Sequence, residues 1–437
     1  MSRPRRLVFA GGGSIQFAPS LLADVVRSEK LPELTLVLHD IDPDRLELIF
    51  GLAKRLLPRA RFPLHVEATT DPRLALAAAD AVIISIELDR FETWDLDRKI
   101  PAELGAPQAL GENGGPGGLF HALRMIPGAV AIGKTVEALC PDALVLNLSN
   151  PMSRMCLGLS VYTRVRLVGL CHEIHGGREY LSKVLGVPAH ELVVEASGLN
   201  HFTWFTQIRD SAGLDLYPRL RKLMKDSPER VVVDDRLLTS ELLRMTGLLC
   251  VTNDSHAGEY LRFGHTPCCR ATPTLTPAPF YRNYRADVAG IERGVREILS
   301  GASIDPILSA PSGEEVIPMM ERAFAGGSLQ SEAINVRNDG LISELPSWAI
   351  VEVPGRVSLA GGQGDKPTEL PDWVLAACAV QTRIHRLTVR AAMTGDRQAA
   401  LEALLIDPSV PDPATAERVF AALLEAHRAY LPAFERG

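Results

Sequence analysis

The sequence predicts an α/β fold, with a Rossmann-like, doubly wound parallel sheet in an N-terminal domain and mixed α+β structure in a C-terminal domain. Two observations predict the N-terminal part: short apolar runs alternate with helix-like stretches, and a glycine turn follows the first run. The third observation is that this alternation is lost after Gly176. We therefore expect domains over residues 1–175 and 176–437.

The first βαβ unit is the best-defined part of the predicted sheet. Residues 7–10 form an apolar run that predicts a buried strand, and glycines follow it at positions 11–13. Pro19 fits the first turn of a helix that extends to about residue 30, because its missing N–H costs little there. A second apolar run, 34–38, leads to Asp40. This order of strand, turn, helix, strand and acid indicates a nucleotide-binding unit.

The remaining elements follow from apolar runs and helical stretches. Further parallel strands are predicted at 81–86, 143–146 and 166–170, with helices at 72–79 and 126–138. In the second half we expect strands at 191–197 and 201–208 and helices at 376–393 and 397–405. The glycine-rich segment 112–118 is predicted to be a loop against a ligand or a partner chain, although a plain solvent loop fits it nearly as well.

Composition and charge exclude several classes of function. The net charge of −7 lacks the basic excess that phosphate contacts need, so we expect no nucleic-acid partner. No apolar stretch approaches the roughly 20 residues of a membrane span, and the N-terminal apolar run is too short for a signal peptide. The odd count of 7 cysteines argues against a disulfide framework. We therefore expect a cytoplasmic protein with reduced thiols.

The glycine turn is the first candidate site. Gly11 and Gly13 would let the backbone approach a pyrophosphate, with Ser14 and Ile15 beginning the helix whose N-terminus favours negative charge. The match to the dinucleotide pattern is partial, because Gln16 stands where a third glycine is usual. Asp40 at the end of the second strand would bind a ribose diol, which favours NAD over NADP. The alternative is a tight turn beside a solvated acid.

Polar residues at predicted strand ends form the second candidate site, because ligands bind there in open α/β sheets. Asn150 follows one strand and Cys171 another. Asn150 could contact a sugar hydroxyl or simply cap the next segment. Cys171 and His201 do not match a short zinc spacing, and each alone is more often structural than a ligand. Together with oxygen ligands they could hold Mn²⁺, Fe²⁺, Co²⁺ or Zn²⁺.

Residues 254–260 form a dense group of titratable side chains. Tyr260 could act as a base if a metal or another cation lowered its pKa. The alternative is a polar loop with a half-buried tyrosine, and the spacing alone favours that alternative.

Taken together, these residues resemble glycoside hydrolase family 4, the NAD- and metal-dependent glycosidases. The resemblance covers nearly the whole chain and rests on an ordered series of motifs: Gly11-Gly12-Gly13-Ser14, residues 112–118, Ser149-Asn150-Pro151, Cys171, Gly198-Leu199-Asn200-His201, Glu259-Tyr260, residues 335–340, Leu345-Pro346 and residues 351–354. It implies a lactate/malate dehydrogenase-like fold and, as in other family members, a homodimer or homotetramer.

The resemblance also implies an unusual reaction that departs from the two-carboxylate scheme of most glycosidases. In that reaction NAD⁺ takes a hydride from carbon 3 of the sugar, which acidifies the proton on carbon 2. A base removes that proton while the metal stabilises the enediolate. The leaving group at carbon 1 is then eliminated, water adds, and NADH returns the hydride.

The family's roles transfer to this chain position by position. Cys171 and His201 would bind the metal, with Mn²⁺ preferred, and Tyr260 matches the tyrosine base. Asn150 matches an asparagine on the substrate and metal side. The substrate-binding set is completed by Glu112 and Asn200. For the acid that protonates the leaving group, His172 is the first candidate, favoured by a carboxylate such as Glu173, and Asp254 is the second.

The tetrapeptide Cys171-His172-Glu173-Ile174 and the acid Glu87 bear on the substrate. In this family a Cys-His pair is typical of enzymes for unphosphorylated α-glucosides, α-galactosides or uronides, and Glu87 would repel a phosphate. We expect an α-linked, unphosphorylated glycoside. The main alternative is an NAD-dependent 2-hydroxy-acid dehydrogenase of the lactate/malate type, which would accumulate NADH; the second is a nucleotide-sensing protein without turnover.

Overall fold

The computed structural model describes residues 3–264, 277–310 and 312–435. Within these ranges eleven strands form one sheet. The strands are β1 (Arg5–Ala10), β2 (Leu34–His39), β3 (Leu64–Thr69), β4 (Ala81–Ile84), β5 (Leu144–Asn147), β6 (Arg166–Gly169), β7 (Leu192–Leu199), β8 (Phe202–Asp210), β9 (Leu329–Arg337), β10 (Ile350–Ser358) and β11 (Gly361–Gly364).

The described helices connect and cover these strands. They are α1 (Ala18–Arg27), α2 (Pro43–Leu56), α3 (Pro72–Leu76), α4 (Arg90–Glu103), α5 (Gly115–Leu139), α6 (Met152–Tyr162), α7 (Glu173–Leu185), α8 (Tyr217–Asp226), α9 (Leu237–Thr246), α10 (Asp254–Ala257), α11 (Pro277–Leu299), α12 (Asp305–Leu308), α13 (Val316–Phe324), α14 (Asp372–Thr394), α15 (Arg397–Ile406) and α16 (Pro413–Ala426).

The N-terminal strands run in the order β3-β2-β1-β4-β5-β6, and all of their pairings are parallel. This is the doubly wound order in which the direction of winding reverses between β1 and β4. Both faces of the sheet are covered: in β1, Leu7 and Phe9 pack into one apolar cluster and Val8 into another. Strands buried on both faces are typical of parallel sheets. The predicted fold class is therefore confirmed.

The C-terminal half extends the same sheet in antiparallel fashion through β9, β10, β7 and β8. One row of residues crosses the junction: Gly169 pairs with Asn335, Asn335 with Glu352, and Glu352 with Gly198. This register places the end of β6 close to the β7–β8 hairpin. The predicted boundary between residues 175 and 176 remains a prediction.

Several predicted elements differ from the structure. The segment 112–118 is not a loop throughout, since α5 begins at Gly115. Its small residues permit close packing instead: a Cβ on Gly117 would lie 2.4 Å from the carbonyl oxygen of Gly111. Strands β3, β9, β10 and β11 were not predicted individually. The helix predicted at 72–79 and the helix predicted to extend to about residue 30 end earlier, at Leu76 and Arg27.

Among the described helices, none combines the length and apolar character that crossing a membrane requires. The described cysteines are free thiols, at positions 140, 156, 171, 250 and 378. Cys268 and Cys269 lie outside the described residues.

Candidate active site

The glycine turn after β1 packs closely against the neighbouring backbone. The N–H groups of Gly11 and Gly12 both donate to the carbonyl oxygen of His39, at 2.8 and 2.9 Å. Gly11 has a positive φ of 91°, and a Cβ there would lie 1.9 Å from the carbonyl oxygen of Ser85. Only glycine fits this position. Helix α1 begins after Phe17, whose N–H donates to Oγ of Ser14 at 3.2 Å, and the N–H of Ala18 donates to the carbonyl oxygen of Ser14 at 2.9 Å. Pro19 has no N–H, so the turn before α1 already satisfies the first donors of this helix.

Asp40 lies beside this turn, as predicted, and is held in place by backbone groups. Its Oδ2 accepts from the N–H of Gly13 at 2.9 Å, and its Oδ1 accepts from the N–H of Asp42 at 3.0 Å. A carboxylate has about four lone-pair positions, so each oxygen can accept a further bond from a ribose hydroxyl. Gly13, Ser14 and Ile15 continue the turn, with Ile15 buried and the Ser14 N–H donating to the Gly11 carbonyl oxygen at 3.0 Å.

Cys171 and His201 meet at the carboxyl edge of the sheet, although 30 positions separate them in the chain. Cys171 follows β6, and His201 lies in the two-residue turn between β7 and β8. The distance from Sγ of Cys171 to Nε2 of His201 is 3.4 Å. His201 has a positive φ of 61°, which is uncommon for a residue with a Cβ and suits the tight two-residue turn of the β7–β8 hairpin.

The protonation states of this pair suit a divalent ion. Burial and the neighbouring His256 lower the pKa of His201 well below its usual value, which leaves the neutral imidazole that binds metals. Burial, together with the carboxylates of Glu352 and Glu173, raises the pKa of the Cys171 thiol. A bound cation would reverse that shift, since a coordinating thiol is deprotonated. A thiolate and a neutral imidazole fit Mn²⁺, Fe²⁺, Co²⁺ or Zn²⁺.

His256 stacks on His201, with ring centroids 4.2 Å apart and an angle of 18° between the planes. Its Nε2 lies 3.9 Å from Oε1 of Glu173 and its Nδ1 lies 3.6 Å from Oε2 of Glu259. Burial opposes its protonation, yet Glu259, Glu173 and Glu112 raise its pKa to about 9. Ligand atoms of Glu173, His201 and His256 lie within 4.8 Å of one another. A bound cation would favour the neutral form of His256, so Glu173 and His256 offer further possible ligand atoms beside His201.

Tyr260 is buried next to the hairpin turn that carries His201. Its hydroxyl donates to the carbonyl oxygen of Asn200 at 3.3 Å. The side chain of Asn200 points elsewhere: its Nδ2 donates to Oε2 of Glu352 at 2.9 Å. The Glu352 carboxylate also accepts from the Thr203 hydroxyl at 3.1 Å, and burial raises its pKa to about 7. This contact of Asn200 supports the hairpin, and the substrate contact predicted for Asn200 remains a prediction.

Glu112 and Asn150 also reach this edge of the sheet. Nδ2 of Asn150 lies 3.5 Å from Oε1 of Glu112, and Nη2 of Arg90 donates to the same oxygen at 2.6 Å. Burial opposes ionisation of Glu112, yet Arg90, His256 and His121 lower its pKa. The result is a fixed carboxylate and an amide that face one region, an arrangement suited to neighbouring hydroxyl groups of a sugar.

Glu87 belongs to the same charged group. Arg90 donates to its Oε2 at 3.0 Å, and Nε2 of His121 lies 3.1 Å from that oxygen. Burial would raise the pKa of Glu87, but His121 and Arg90 outweigh it and lower the pKa to about 2. Glu87 is therefore ionised, as its proposed repulsion of a phosphate requires.

The two candidate acids have different surroundings. His172 has a half-exposed side chain, and its Nδ1 lies 3.0 Å from Oε1 of Glu314, a contact that raises the pKa of His172. Glu173, the predicted partner, also raises the pKa of His172, and its Oε1 lies 3.9 Å from Nε2 of His256. Asp254 is fully buried, and its two oxygens accept the N–H groups of Leu238 and Thr239 at 2.7 and 2.8 Å. It holds the start of α9, so the structure favours His172.

Sequence reasoning did not assign roles to His256, Glu352, Arg90 or Glu314. One signal was available for Glu352, which is an acid inside the apolar run of β10 and must be buried with partners. Glu314 carried no such signal, because it lies 142 positions from His172 and outside any motif.

This fold and this site together define an α/β enzyme with a nucleotide turn and an adjacent Cys–His pair. Residues 6–187 match the model of the family 4 glycosyl hydrolases, and residues 196–410 match that family's C-terminal domain. The chain therefore belongs to glycosyl hydrolase family 4.

Three similar proteins extend this result. An α-glucosidase of Erwinia rhapontici is 35% identical, with 92% of this chain and 93% of that protein covered. An α-galactosidase of Bacillus subtilis (strain 168) is 28% identical and covers 99% of this chain and 100% of its own. The crystal structure of a 6-phospho-α-glucosidase from gut microorganisms, in complex with NAD and Mn²⁺, shares the fold with a TM-score of 0.85 and 23% identity, covering 98% of this chain and 99% of that one.

Proposed function

We propose that this family 4 enzyme hydrolyses an unphosphorylated α-glucoside with bound NAD⁺ and a bound divalent ion, Mn²⁺ preferred. The observation that carries the proposal is the 3.4 Å separation of Cys171 Sγ and His201 Nε2 at the carboxyl edge of the sheet, beside the buried Tyr260. In open α/β sheets this edge is where cofactor and substrate bind.

The residues of the chain fit both groups. The glycine turn at 11–13 and the carboxylate of Asp40 suit the pyrophosphate and ribose of NAD⁺, and Cys171 with His201 suits the metal. When bound, NAD⁺ supplies reversible oxidation at carbon 3 of the sugar, and the divalent ion supplies Lewis-acid stabilisation of the charge that develops when carbon 2 loses its proton.

Tyr260 is the proposed base. Its phenolate oxygen takes the proton from carbon 2, and the electron pair of that C–H bond stays with the sugar. Its hydroxyl lies 3.3 Å from the carbonyl oxygen of Asn200, next to His201 in the chain, which supports a position close to the metal.

His172 is the proposed acid, because a protonated imidazole can give a proton to the leaving oxygen at carbon 1. Its Nδ1 faces Glu314, so Nε2 is the nitrogen left to donate. The half-exposed side chain is accessible to a leaving group that departs toward solvent. Glu112 and Asn150 would orient the sugar hydroxyls.

The substrate class rests on two further points. The carboxylates of Glu87 and Glu112 share the guanidinium of Arg90, at 3.0 and 2.6 Å, so Arg90 is not free to bind a phosphate dianion. The similarity to an α-glucosidase favours glucose over other sugars. An α-galactoside and an α-uronide are the alternatives that the experiment must separate.

The test is hydrolysis of p-nitrophenyl α-glucoside, α-galactoside, α-glucuronide and α-glucoside 6-phosphate under reducing conditions. We expect the unphosphorylated α-glucoside to react fastest, and activity to require both Mn²⁺ and NAD⁺, each omitted in turn. Deuterium at carbon 2 should give a primary isotope effect or exchange with solvent. Accumulation of stoichiometric NADH would instead indicate a dehydrogenase, and activity without NAD⁺ would refute the proposed mechanism.

A further inference from the structure

A row of polar side chains begins at His172, the proposed acid, and continues along α7. His172 is the N-cap residue of this helix, and His175 lies one turn further on, since its N–H donates to the carbonyl oxygen of His172 at 2.9 Å. Side chains three positions apart share one face of a helix, with Cβ atoms roughly 5–6 Å apart. A leaving group that takes its proton from Nε2 of His172 therefore reaches His175 within the length of one sugar ring.

The acids opposite this row come from the segment that leads into α13. Glu314 contacts His172, and Glu315, the next residue in the chain, faces His175: Oε1 of Glu315 lies 3.9 Å from Nε2 of His175. Two consecutive acids thus face two histidines that are one helical turn apart. The side chains of His175 and Glu315 are 27% and 29% exposed, so a ligand at the half-exposed His172 can reach both of them.

The contacts of His175 determine which of its ring nitrogens carries the proton. Nη2 of Arg178 lies 3.3 Å from Nδ1 of His175. A guanidinium only donates hydrogen bonds, so Nδ1 accepts and the proton of the neutral ring is on Nε2. Burial lowers the pKa of His175, which favours this neutral ring. The Nε2–H group is therefore the donor that His175 presents toward Glu315.

Glu315 is held by one carboxylate oxygen and presents the other to His175. Its Oε2 accepts from the hydroxyl of Ser331 at 2.6 Å. The 3.9 Å between Oε1 and Nε2 of His175 is too long for a direct hydrogen bond. A donor and an acceptor at this separation suit a bridging oxygen, which accepts from one group and donates to the other. Arg178 is itself bound by Oε1 of Glu332 at 2.8 Å, so the imidazole is fixed as well.

We propose that His175 and Glu315 form a subsite for the leaving group, in which one hydroxyl of the leaving group bridges Nε2 of His175 and Oε1 of Glu315. The ligand class is a leaving group that carries hydroxyl groups, such as a second sugar. The inference rests on the proposed function, because the role of His172 as the acid marks where the leaving group departs.

The chemistry of this pair separates a hydroxylated leaving group from an aryl one. A hydroxyl group both accepts and donates, as the pair requires, whereas an unsubstituted phenyl ring does neither. The bond to Glu315 is charge-assisted, and such bonds are about twice as strong as neutral ones. A phenyl ring that displaces water from the pair cannot replace its hydrogen bonds, which weakens binding. The pair should therefore favour a sugar over a phenyl group as the leaving group.

The experiment compares phenyl α-glucoside with maltose and isomaltose, in which the leaving group is glucose. Released glucose is measured with Mn²⁺ and NAD⁺ present, and the ratio of kcat/KM for the faster disaccharide to kcat/KM for phenyl α-glucoside is determined. Loss of a hydrogen bond to a charged group should lower this ratio about tenfold in His175→Ala and in Glu315→Gln. His175→Gln keeps an N–H donor and should recover part of the ratio.

Two further variants make the measurement specific. The double variant H175A/E315Q should lower the ratio little more than either single change, because both side chains bind the same hydroxyl. Glu179→Gln changes an exposed position of α7 and is the control, which should keep the wild-type ratio. Because the ratio compares two substrates on one protein, a smaller folded fraction does not alter it.

The outcomes separate this inference from the proposed function. If H175A and E315Q keep the wild-type ratio, or if wild type cleaves phenyl α-glucoside and neither disaccharide, the subsite is refuted and the proposed function stands. If wild type cleaves none of the three α-glucosides, the proposed function fails and the subsite fails with it.

Discussion

Glu259 accepts a hydrogen bond from the backbone N–H of Glu112 at 2.6 Å, across 147 positions of the chain. The same oxygen accepts from the N–H of Asn113 at 3.0 Å. Glu259 is adjacent to Tyr260, whereas Glu112 precedes the glycines that begin α5. This buried carboxylate therefore ties the segment that carries the proposed base to the segment that carries a proposed sugar ligand.

Glu259→Gln should weaken the hydrogen bonds that this carboxylate accepts from the N–H groups of Glu112 and Asn113. Hydrogen bonds to a charged acceptor contribute about 1.5–3 kcal/mol, so loss of the charge should lower the free energy of unfolding by about 2 kcal/mol. Because Glu112 would be less well placed, KM should rise several-fold more than kcat falls. Urea denaturation and steady-state kinetics measure the two effects. Glu297→Gln, at an exposed position, serves as the control, and an unchanged KM in E259Q would contradict the positioning role.

Cys171→Ser should weaken the binding of Mn²⁺ without weakening the binding of NAD⁺. A hydroxyl is a poor replacement for a thiolate, so the Kd for Mn²⁺ should rise at least about tenfold, while NAD⁺ still binds at the glycine turn. Titration calorimetry of each ligand alone separates the two. Cys140→Ser, which changes a buried cysteine outside the site, is the matched control. Equal Mn²⁺ affinity in C171S and wild type would remove Cys171 from the ligand set.

The sheet and the nucleotide turn could be predicted because their signals are local. The apolar run of β1, the glycines after it and Asp40 lie within one βαβ unit. The spacing of apolar residues and the residue types in the turn are enough to predict such a unit. Helix α5 shows the limit of this approach. Its first turn is made of glycine and proline, residues that predict a loop, yet close packing against Gly111 favours the helix.

The candidate site was predicted only in part, because its contacts join distant segments. Nothing local to Cys171 or His201 pairs them; the motifs of the family suggested it, and the row from Gly169 to Gly198 explains how the sheet brings them together. The carboxylate at His172 was predicted as Glu173 on the grounds of adjacency. In the structure Glu314 makes the direct contact, at 3.0 Å from Nδ1 of His172, and Glu173 acts on His172 through its charge alone while its Oε1 lies 3.9 Å from Nε2 of His256.

The Glu87 carboxylate should make stability depend on pH. Its pKa is lowered from 4.5 to about 2. Its contribution to the free energy of unfolding is therefore complete above pH 4.5 and is lost as the pH falls toward 2. Glu87 is partly exposed, so solvent screening reduces the effect of this shift to about 1 kcal/mol, most of which should be lost by about pH 3. Urea unfolding at several acidic pH values measures this loss. The Glu87→Gln variant should lack this loss of stability at acidic pH. If the free energy of unfolding depends on pH in the same way in both proteins, the prediction is refuted.

Asp40→Ala should weaken the binding of NAD⁺ and reduce the preference for NAD⁺ over NADP⁺. The carboxylate sits at the end of β2, where it can accept from both ribose hydroxyls, and its charge disfavours a 2′-phosphate. Loss of a charge-assisted bond of about 1.5 kcal/mol raises the Kd for NAD⁺ about tenfold. The Kd for NADP⁺ should change less or fall, because the repulsion is removed. Titration calorimetry with both nucleotides measures the change. Asp44→Ala, which removes a nearby exposed carboxylate, is the control. If the binding of both nucleotides weakens equally, Asp40 only stabilises the turn.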